Sequence, residues 1–476
     1  YRIVVMHSSP ITFKGNTMAK ILNEWTPEDK SFWQSTGKSI ANRNLWLSVP
    51  ALVLAFAVWQ VLSVTLTYLP NIGFKYSKEE LFNLAALPAL SGAAMRIFYS
   101  FMVPIVGGRR WTALTTASLM IPLVGLGFAV QNPDTPLWQM QVWALLCGFG
   151  SANFSSSMSN ISFFYPKAEK GTALGINAGL GNLGVSLVQF VVPMVVVMGI
   201  FAVGSDAQSY VKGDVVKSVW VQNAAFFWIP FVAVSAIAAW FGMNDIASAK
   251  SSFKDQSIIF KRRDTWLMCV LYLGTFGSFI GFAAGFGLLM KGQFPEINAT
   301  QYVFLGALIG GLARVAGGKL SDSFGAARVT TLVFVGMIFA VFGVLRFLPE
   351  EGVAGSGSFQ GFFACFIALF ALTGVGNAST FAQVPKIFHK VVKDALGGNA
   401  TDASIELNAN KESAAVLGFS AAIGAFGGFF VPKSYGISIA ATGGVASALM
   451  VFIAYYAVCV GVNWWFYSRK GAKTPC

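Results

Sequence analysis

Two arginines lie inside apolar stretches of the sequence, away from the charged residues of its loops. Arg96 and Arg314 lie within predicted membrane helices, where the other Lys and Arg residues are confined to helix ends and loops, and all 20 Asp and Glu residues fall outside the helices. An arginine at the bilayer centre costs about 2.5 to 3.5 kcal/mol on insertion scales, so a pair without carboxylates suggests an anionic ligand. Guanidinium offers a planar fork of donors that matches oxyanions. The pair predicts a site for a small, flat oxyanion.

A second interpretation of these arginines is that they reach the membrane surface or bond backbone carbonyls near helix ends. Arg314 lies only a few residues from the end of its predicted helix at 318, which favours this alternative. Arg96 lies well inside its helix, and the two arginines occupy equivalent positions in an internal repeat. We therefore expect both to contact a ligand.

One amide within the predicted helices and the two histidines bear on the chemistry of the site. Asn182 is an amide whose repeat counterpart is Ala425, so a site that includes it would be asymmetric, unless a neighbouring helix satisfies the amide. His7 and His389 fall outside the helices, so the usual side chains of a proton relay are missing there. The five cysteines show no disulfide or metal spacing. We expect no metal and no cofactor.

The elements that position these residues are membrane helices. Of the 476 residues, 55% are hydrophobic and 11% are charged, a composition typical of membrane proteins. Apolar runs of about 20 residues, enough to cross the hydrocarbon as a helix, recur along the chain, and alternation typical of a barrel is missing. The predicted fold is all-α with twelve spans, near 45–69, 81–106, 111–130, 137–164, 172–200, 216–243, 265–290, 301–318, 329–348, 358–385, 413–437 and 444–467.

Charge distribution predicts the orientation of these helices. Most Lys and Arg residues fall in the tails and in loops on the side of the amino terminus, so both termini should face the cytoplasm. The net charge of +13 thus reflects topology, and we expect no nucleic-acid partner. The first 44 residues lack the apolar core of a signal peptide. Thr26 and Pro27 there predict the start of a short interfacial helix.

An internal repeat divides the chain into two halves. Residues 173–184 align with 416–427, and residues 148–153 align with 374–379. Two such six-helix bundles around a central site form a carrier that rocks between two states. The predicted division is a tail at 1–44, a first bundle at 45–243, a linker at 244–264, a second bundle at 265–467 and a tail at 468–476.

Glycines in the repeat predict close helix packing. Gly171 and Gly175 in the fifth span, with Gly418 as the repeat match of Gly175, let backbones approach one another. Because two bundles that rock must pack through such surfaces, we assign these glycines a conformational role.

Several segments resemble the bacterial nitrate/nitrite porters of the major facilitator superfamily, the NarK/NarU type; they are residues 91–96, 148–184 and 272–282, within a likeness from about 25 to 467. The resemblance implies an anion between Arg96 and Arg314, hydrogen-bonded by Asn182 and Tyr272 and flanked by the rings of Phe154 and Phe276. It also implies that the loop after the eighth span closes a gate, chiefly through Asp322 and Arg328.

This resemblance implies a monomeric transporter working by alternating access. Exchange of nitrate for nitrite moves no net charge, whereas entry of a lone anion costs about 2.3 kcal/mol per 100 mV. Proton-coupled nitrate symport is the alternative; phosphate-type antiport and an anion channel are further ones. The sequence has no nucleophile with a base, metal cluster or cofactor motif, so we do not expect an enzyme.

Overall fold

The computed structural model describes residues 21–66, 68–76, 78–200, 206–212, 215–249, 253–294, 296–297, 302–349, 356–397, 400–472 and 474–476. Within these ranges the chain forms twelve long helical segments, and they confirm the all-α prediction. They are α1 (Lys30–Thr65), α2 (Lys78–Tyr99), α3 (Gly108–Ala129), α4 (Leu137–Phe164), α5 (Lys167–Val195), α6 (Asn223–Gly242), α7 (Arg263–Tyr272, Leu273–Gly277 and Ser278–Gln293), α8 (Val303–Phe324), α9 (Ala326–Phe347), α10 (Phe359–Leu396), α11 (Asp402–Ala425 and Gly427–Thr442) and α12 (Ala446–Ser468).

Ten helices in the described part of the chain are long and apolar enough to cross a membrane. The two long helices not among them are α2 and α4. Helix α2 carries Arg96, and α4 carries a run of buried serines and asparagines between Ser151 and Ser162. These two helices bring polar groups into the bundle, and apolarity alone does not identify them as spans.

The first helix begins earlier than predicted. Asp29 caps it by accepting hydrogen bonds from the backbone N–H groups of Ser31 at 2.8 Å and Phe32 at 3.3 Å, so the predicted cap at Thr26 is wrong. Helix α1 then continues through a π-turn at Trp33–Gly37 to its end at Thr65. The expected short helix is therefore continuous with the rest of α1, which begins before the predicted span start at 45.

The eighth span is longer than predicted and ends at Phe324 rather than at 318. Arg314 consequently lies well inside its helix, which removes the argument that it is a helix-end residue. Gly325 follows with a φ of +89°, and Gly107 before α3 has a φ of +104°, conformations that favour glycine. Hydropathy does not detect polar helix ends that extend beyond the hydrocarbon, which explains why the end was predicted at 318.

A β-hairpin replaces the predicted start of the sixth span at 216. Strand β2 (Gln208–Lys212) pairs antiparallel with β3 (Val215–Val219), with Gln208 opposite Val219. The valines of β3 favour a strand, and Val216, Lys217 and Ser218 are exposed. Helix α6 begins only at Asn223. We call this end of the bundle the hairpin face.

The opposite end, which we call the linker face, gathers the segments outside the helices. Strand β1 (Ile21–Leu22) pairs in parallel with β4 (Asp245–Ile246), which follows α6. Asp245 accepts hydrogen bonds from the backbone N–H of Arg109 at 2.8 Å and from its Nε at 3.2 Å. The carbonyl of Cys476 accepts one from the N–H of Ala327. Both ends of the described chain and the linker thus lie at the linker face.

Glycines bring helices of the two predicted halves together. A Cβ added to Gly175 of α5 would lie 3.2 Å from the Cα of Gly318 in α8, and a Cβ on Gly418 of α11 would lie 2.8 Å from the Cα of Ser100 beyond α2. Ser100 and Gly318 each follow the arginine of their half by four residues. The two crossings are therefore equivalent by the repeat. The predicted domain boundaries themselves stay a prediction.

Candidate functional site

Arg96 projects from α2 into the bundle and is 0% exposed. Its Nε donates to the backbone carbonyl of Ser151 at 2.9 Å and to the Ser151 hydroxyl at 3.1 Å. Its Nη1 donates to the carbonyl of Ala421 in α11 at 3.2 Å. Within the described residues its Nη2 has no hydrogen-bond partner. One edge of this guanidinium group is fixed by protein, and the other retains a free donor.

Arg314 projects from α8 and is 1% exposed. Its Nη2 donates to the hydroxyl of Tyr272 at 2.8 Å, while Nε and Nη1 lack partners in the part of the chain that the structure describes. Among the described carboxylates, none forms an ion pair with Arg96 or Arg314. Buried donors without acceptors cost about 1 to 3 kcal/mol each, more for charged groups, so an acceptor-rich ligand would stabilise this arrangement.

Two phenylalanine rings lie beside both arginines. The Cζ of Arg96 is 5.0 Å from the ring centroids of Phe154 and Phe276, and that of Arg314 is 5.1 and 5.6 Å from the same centroids. Cation–π attraction of this kind contributes about 0.5 to 2 kcal/mol. The two guanidinium groups therefore share one aromatic surface, although they belong to different halves of the repeat.

A stack of aromatic rings extends from α7 towards α4. The segment Leu273–Gly277 of α7 is π-helical. The rings of Tyr272 and Phe276 stack with centroids 5.0 Å apart and planes at 16°. Phe276 in turn stacks on Phe154, again at 5.0 Å and with 13° between the planes.

This stacking bears on the expected position of a flat ion. The rings of Phe154 and Phe276 contact each other face to face. An ion between the two faces would require a ring separation of about 7 Å, twice the usual carbon contact distance. Binding in that position therefore requires the rings to part, and an ion beside their edges requires no such movement.

Asn182 of α5 is 1% exposed, and both atoms of its amide lack hydrogen-bond partners among the described residues. It follows Gly179 by three residues and Gly175 by seven, so the three share a helix face. That face meets α8 around Arg314, since a Cβ on Gly175 would lie 3.1 Å from the Arg314 carbonyl oxygen. The amide is thus buried on the side of α5 that faces the arginine.

The predicted gate residues lie in different surroundings. Asp322 of α8 accepts hydrogen bonds from the backbone N–H and the hydroxyl of Thr172 in α5. Gly171 lies directly beside this contact, because a Cβ there would collide with the Asp322 carboxylate. Arg328 is exposed and, within the described residues, forms no ion pair with Asp322. The structure brings Asp322 and Gly171 together and leaves Arg328 apart.

Further polar contacts join the predicted halves at the linker face. Lys167 of α5 forms an ion pair with Glu406 of α11 at 2.5 Å, and the buried Lys170 donates to Asn410 at 3.0 Å. On the side of the hairpin face, the hydroxyl of Ser186 in α5 donates to a backbone carbonyl in α8 at 3.2 Å. Both arginines are thus shielded from solvent, and contacts join the two predicted halves on either side of them.

Two contributors to the site were not predicted from the sequence. Ser151 holds Arg96, as described above, and Phe381 of α10 lies with its ring 5.4 Å from the Arg314 Cζ and stacked on Tyr272 at 4.1 Å. Ser151 lies inside the repeat segment 148–153, so its position opposite Arg96 could have been examined. An isolated phenylalanine in a chain with 44 of them gives no such signal.

Comparison with known proteins places this geometry in context. The Major Facilitator Superfamily family model matches residues 48–405. The nitrate/nitrite transporter NarU of Salmonella typhimurium is 49% identical, over 95% of this chain and 97% of NarU. The probable nitrate/nitrite antiporter NarK2 of Thermus thermophilus is 37% identical, over 96% of this chain and 98% of NarK2.

Solved structures show the same architecture. The transporter FucP in its outward conformation superimposes with a TM-score of 0.61 at 11% sequence identity, covering 87% of this chain and 97% of FucP. The proton:xylose symporter XylE gives 0.61 at 12% identity, covering 90% of this chain and 96% of XylE. At such identities the likeness concerns the fold alone, and it confirms the predicted twelve-helix arrangement.

Proposed function

Because this chain belongs to the Major Facilitator Superfamily and, within it, to the nitrate/nitrite transporter family, we propose that it exchanges nitrate for nitrite with the anion held between Arg96 and Arg314. It is a multi-pass membrane transporter and not an enzyme. The predicted resemblance to the NarK/NarU porters is thereby confirmed.

One observation carries the proposed anion site. The two arginines are 0% and 1% exposed, three of their nitrogens lack acceptors, and no described carboxylate pairs with them. A planar oxyanion has only acceptors and carries the missing negative charge, so it supplies what both groups lack. Asn182 and Tyr272 would add N–H and O–H donors, and Phe154 and Phe276 would form the apolar walls.

Electrostatics supports exchange rather than passage of a lone ion. Two unit charges about 7 Å apart repel by about 2.4 kcal/mol at an effective dielectric of 20, so the site without an anion resists occlusion. An anion relieves that repulsion and so couples occupancy to closure. Return of the carrier then requires a second anion, and nitrate for nitrite moves no net charge.

Orientation and gating complete the proposal. The linker face lies in the cytoplasm of the bacterial inner membrane, because the loops on that side carry most of the Lys and Arg residues. Closure at this face uses the contact of Asp322 with α5 and the glycine crossings at Gly171, Gly175 and Gly418. We propose that Arg328 takes part in the gate only after the linker face has rearranged. The transporter works as a monomer.

Counterflow in proteoliposomes tests exchange directly. Vesicles with the purified chain and internal nitrite should take up external nitrate, whereas vesicles without an internal anion should take up little. Robust uptake into anion-free vesicles under a pH gradient would refute exchange and support proton-coupled symport. Conductance that does not saturate would indicate a channel, and competition by phosphate but not nitrite would indicate a phosphate-type antiporter.

A further inference from the structure

We propose that Asn377 of α10 is a further ligand of the transported anion, donating its amide N–H to the anion while its amide oxygen accepts from Arg314. This inference rests on the proposed function and adds a hydrogen-bonding residue from a fifth helix to the site. Its support comes from burial, helix geometry and the internal repeat.

Asn377 is 0% exposed, and neither atom of its amide has a hydrogen-bond partner among the described residues. Most other polar side chains of α10 are satisfied in place: Thr373 donates to a carbonyl in its own helix, and Ser379 bonds Thr330 at 2.7 Å. A buried amide left without partners is destabilising. Asn377 is therefore kept in the core at a cost that a ligand would offset.

The helix face that carries Asn377 is the one turned to Arg314. Gly374 precedes it by three residues, and a Cβ there would lie 3.1 Å from the backbone nitrogen of Arg314. Phe381 follows by four residues, with its ring 5.4 Å from the Arg314 Cζ. Residues at such spacings share one face of an α-helix. Asn377 therefore lies between two residues that both face Arg314.

The internal repeat gives an independent argument. The alignment of 374–379 with 148–153 places Asn377 over Ser151. Ser151 accepts two hydrogen bonds from Nε of Arg96, whereas Nε of Arg314 has no partner in the described chain. Asn377 thus occupies the place from which the first half fixes its arginine, but it carries a donor as well as an acceptor.

Chemistry assigns the two ends of this amide. Arginine has donors only, and nitrate and nitrite have acceptors only. The amide oxygen can therefore serve Arg314 but not the anion, and the amide N–H can serve the anion but not Arg314. One side chain thus orients the cation and contacts its ligand.

The test uses the full chain in proteoliposomes with nitrate/nitrite counterflow. Asn377→Ala and Asn377→Ser should raise the KM for both anions by about tenfold, with a smaller change in kcat. Asn377→Asp should abolish exchange, because a carboxylate would neutralise Arg314 and repel the anion. Nitrate should also raise the Tm of the purified wild type more than that of each variant.

The matched control is Asn463→Ala in α12. Asn463 is equally buried, but its Nδ2 donates to Ala327 at 2.7 Å and to Thr331 at 2.8 Å. This variant should have a lower Tm than the wild type and the same KM. Wild-type KM in Asn377→Ala, or active exchange in Asn377→Asp, would overturn the inference while exchange by the wild type still stands. Absence of exchange in the wild type would instead overturn the proposed function.

Discussion

Asp322 at the end of α8 binds Thr172 at the start of α5, accepting from its backbone N–H at 2.9 Å and from its hydroxyl. The two helices belong to different halves of the repeat, and they meet where glycines allow their backbones to touch. This carboxylate is thus one of the groups that join the halves at the linker face. Since the arginines lie deeper in the same seam, we propose that this contact governs access to them from that side.

Removing this contact should open the linker face. Hydrogen bonds to a charged group contribute about 1.5 to 3 kcal/mol, so Asp322→Ala should raise the open population by about tenfold or more. A cysteine placed at Ala382, which is 3% exposed and lies beside Gly171, reports opening by its reaction with a charged thiol reagent. Asp322→Asn, which retains an acceptor, should have a smaller effect. Equal labelling in Asp322→Ala and Arg328→Ala would contradict the assigned contact.

Charge alone should not suffice at the anion site. Arg96→Lys and Arg314→Lys keep the positive charge but lose the planar fork, and each lost charge-assisted hydrogen bond is worth about 1.5 to 3 kcal/mol. We expect nitrate affinity to fall by about 10- to 100-fold in either variant, measured by binding to the purified protein. Arg469→Lys, directly after α12 and hydrogen-bonded to the Trp465 carbonyl, serves as the control. Wild-type affinity in both site variants would rule out two-point contact.

The hydroxyl of Tyr272 should matter through Arg314. Tyr272→Phe removes the acceptor of the 2.8 Å hydrogen bond and leaves the ring stack in place. We expect the KM for nitrate to rise by about fivefold or more, since the freed donor loses its orientation. Tyr456→Phe removes a hydroxyl that is bonded to Ser278 at 2.7 Å and is remote in sequence from the arginines. Equal KM values in the two variants would refute this role.

Helix crossings at glycine should limit the rate of exchange. A methyl group on Gly418 would lie 2.8 Å from the Cα of Ser100, so Gly418→Ala must push α11 away from α2. We expect kcat for counterflow to fall by about tenfold or more, because overpacking costs about 1 to 3 kcal/mol. Gly461→Ala in α12 is the control, since a Cβ there meets nothing within 4 Å. An unchanged rate in Gly418→Ala would contradict close packing during closure.

Much of the architecture could be predicted from the sequence because hydropathy and the repeat report on it directly. The burial of Arg96 and Arg314 follows from their position within apolar runs. Helix ends were predicted less well, as at Phe324, because polar turns that extend beyond the hydrocarbon have no apolar signature. The hairpin β2–β3 was missed because its valines continue the hydrophobic pattern of α6.

Contacts within the site were harder to predict. The stack of Phe154 on Phe276 joins α4 to α7 through tertiary packing, which no local sequence pattern reports. The position of Arg328 depends on the direction in which α9 leaves Gly325, a matter of tertiary packing. Asn377 could have been found, since the repeat aligns it with Ser151, but only the structure shows that its amide lacks partners.

The unequal surroundings of the two arginines have a thermodynamic consequence. Arg96 is bound by Ser151 and Ala421, whereas Arg314 is bound by Tyr272 alone within the described chain. A transporter whose two arginines have such different partners can bind the anion more tightly when it is open to one compartment than to the other. Microscopic reversibility forbids that difference from driving net flux, because affinities are state functions. The anion concentrations on the two sides of the membrane therefore set the direction of transport.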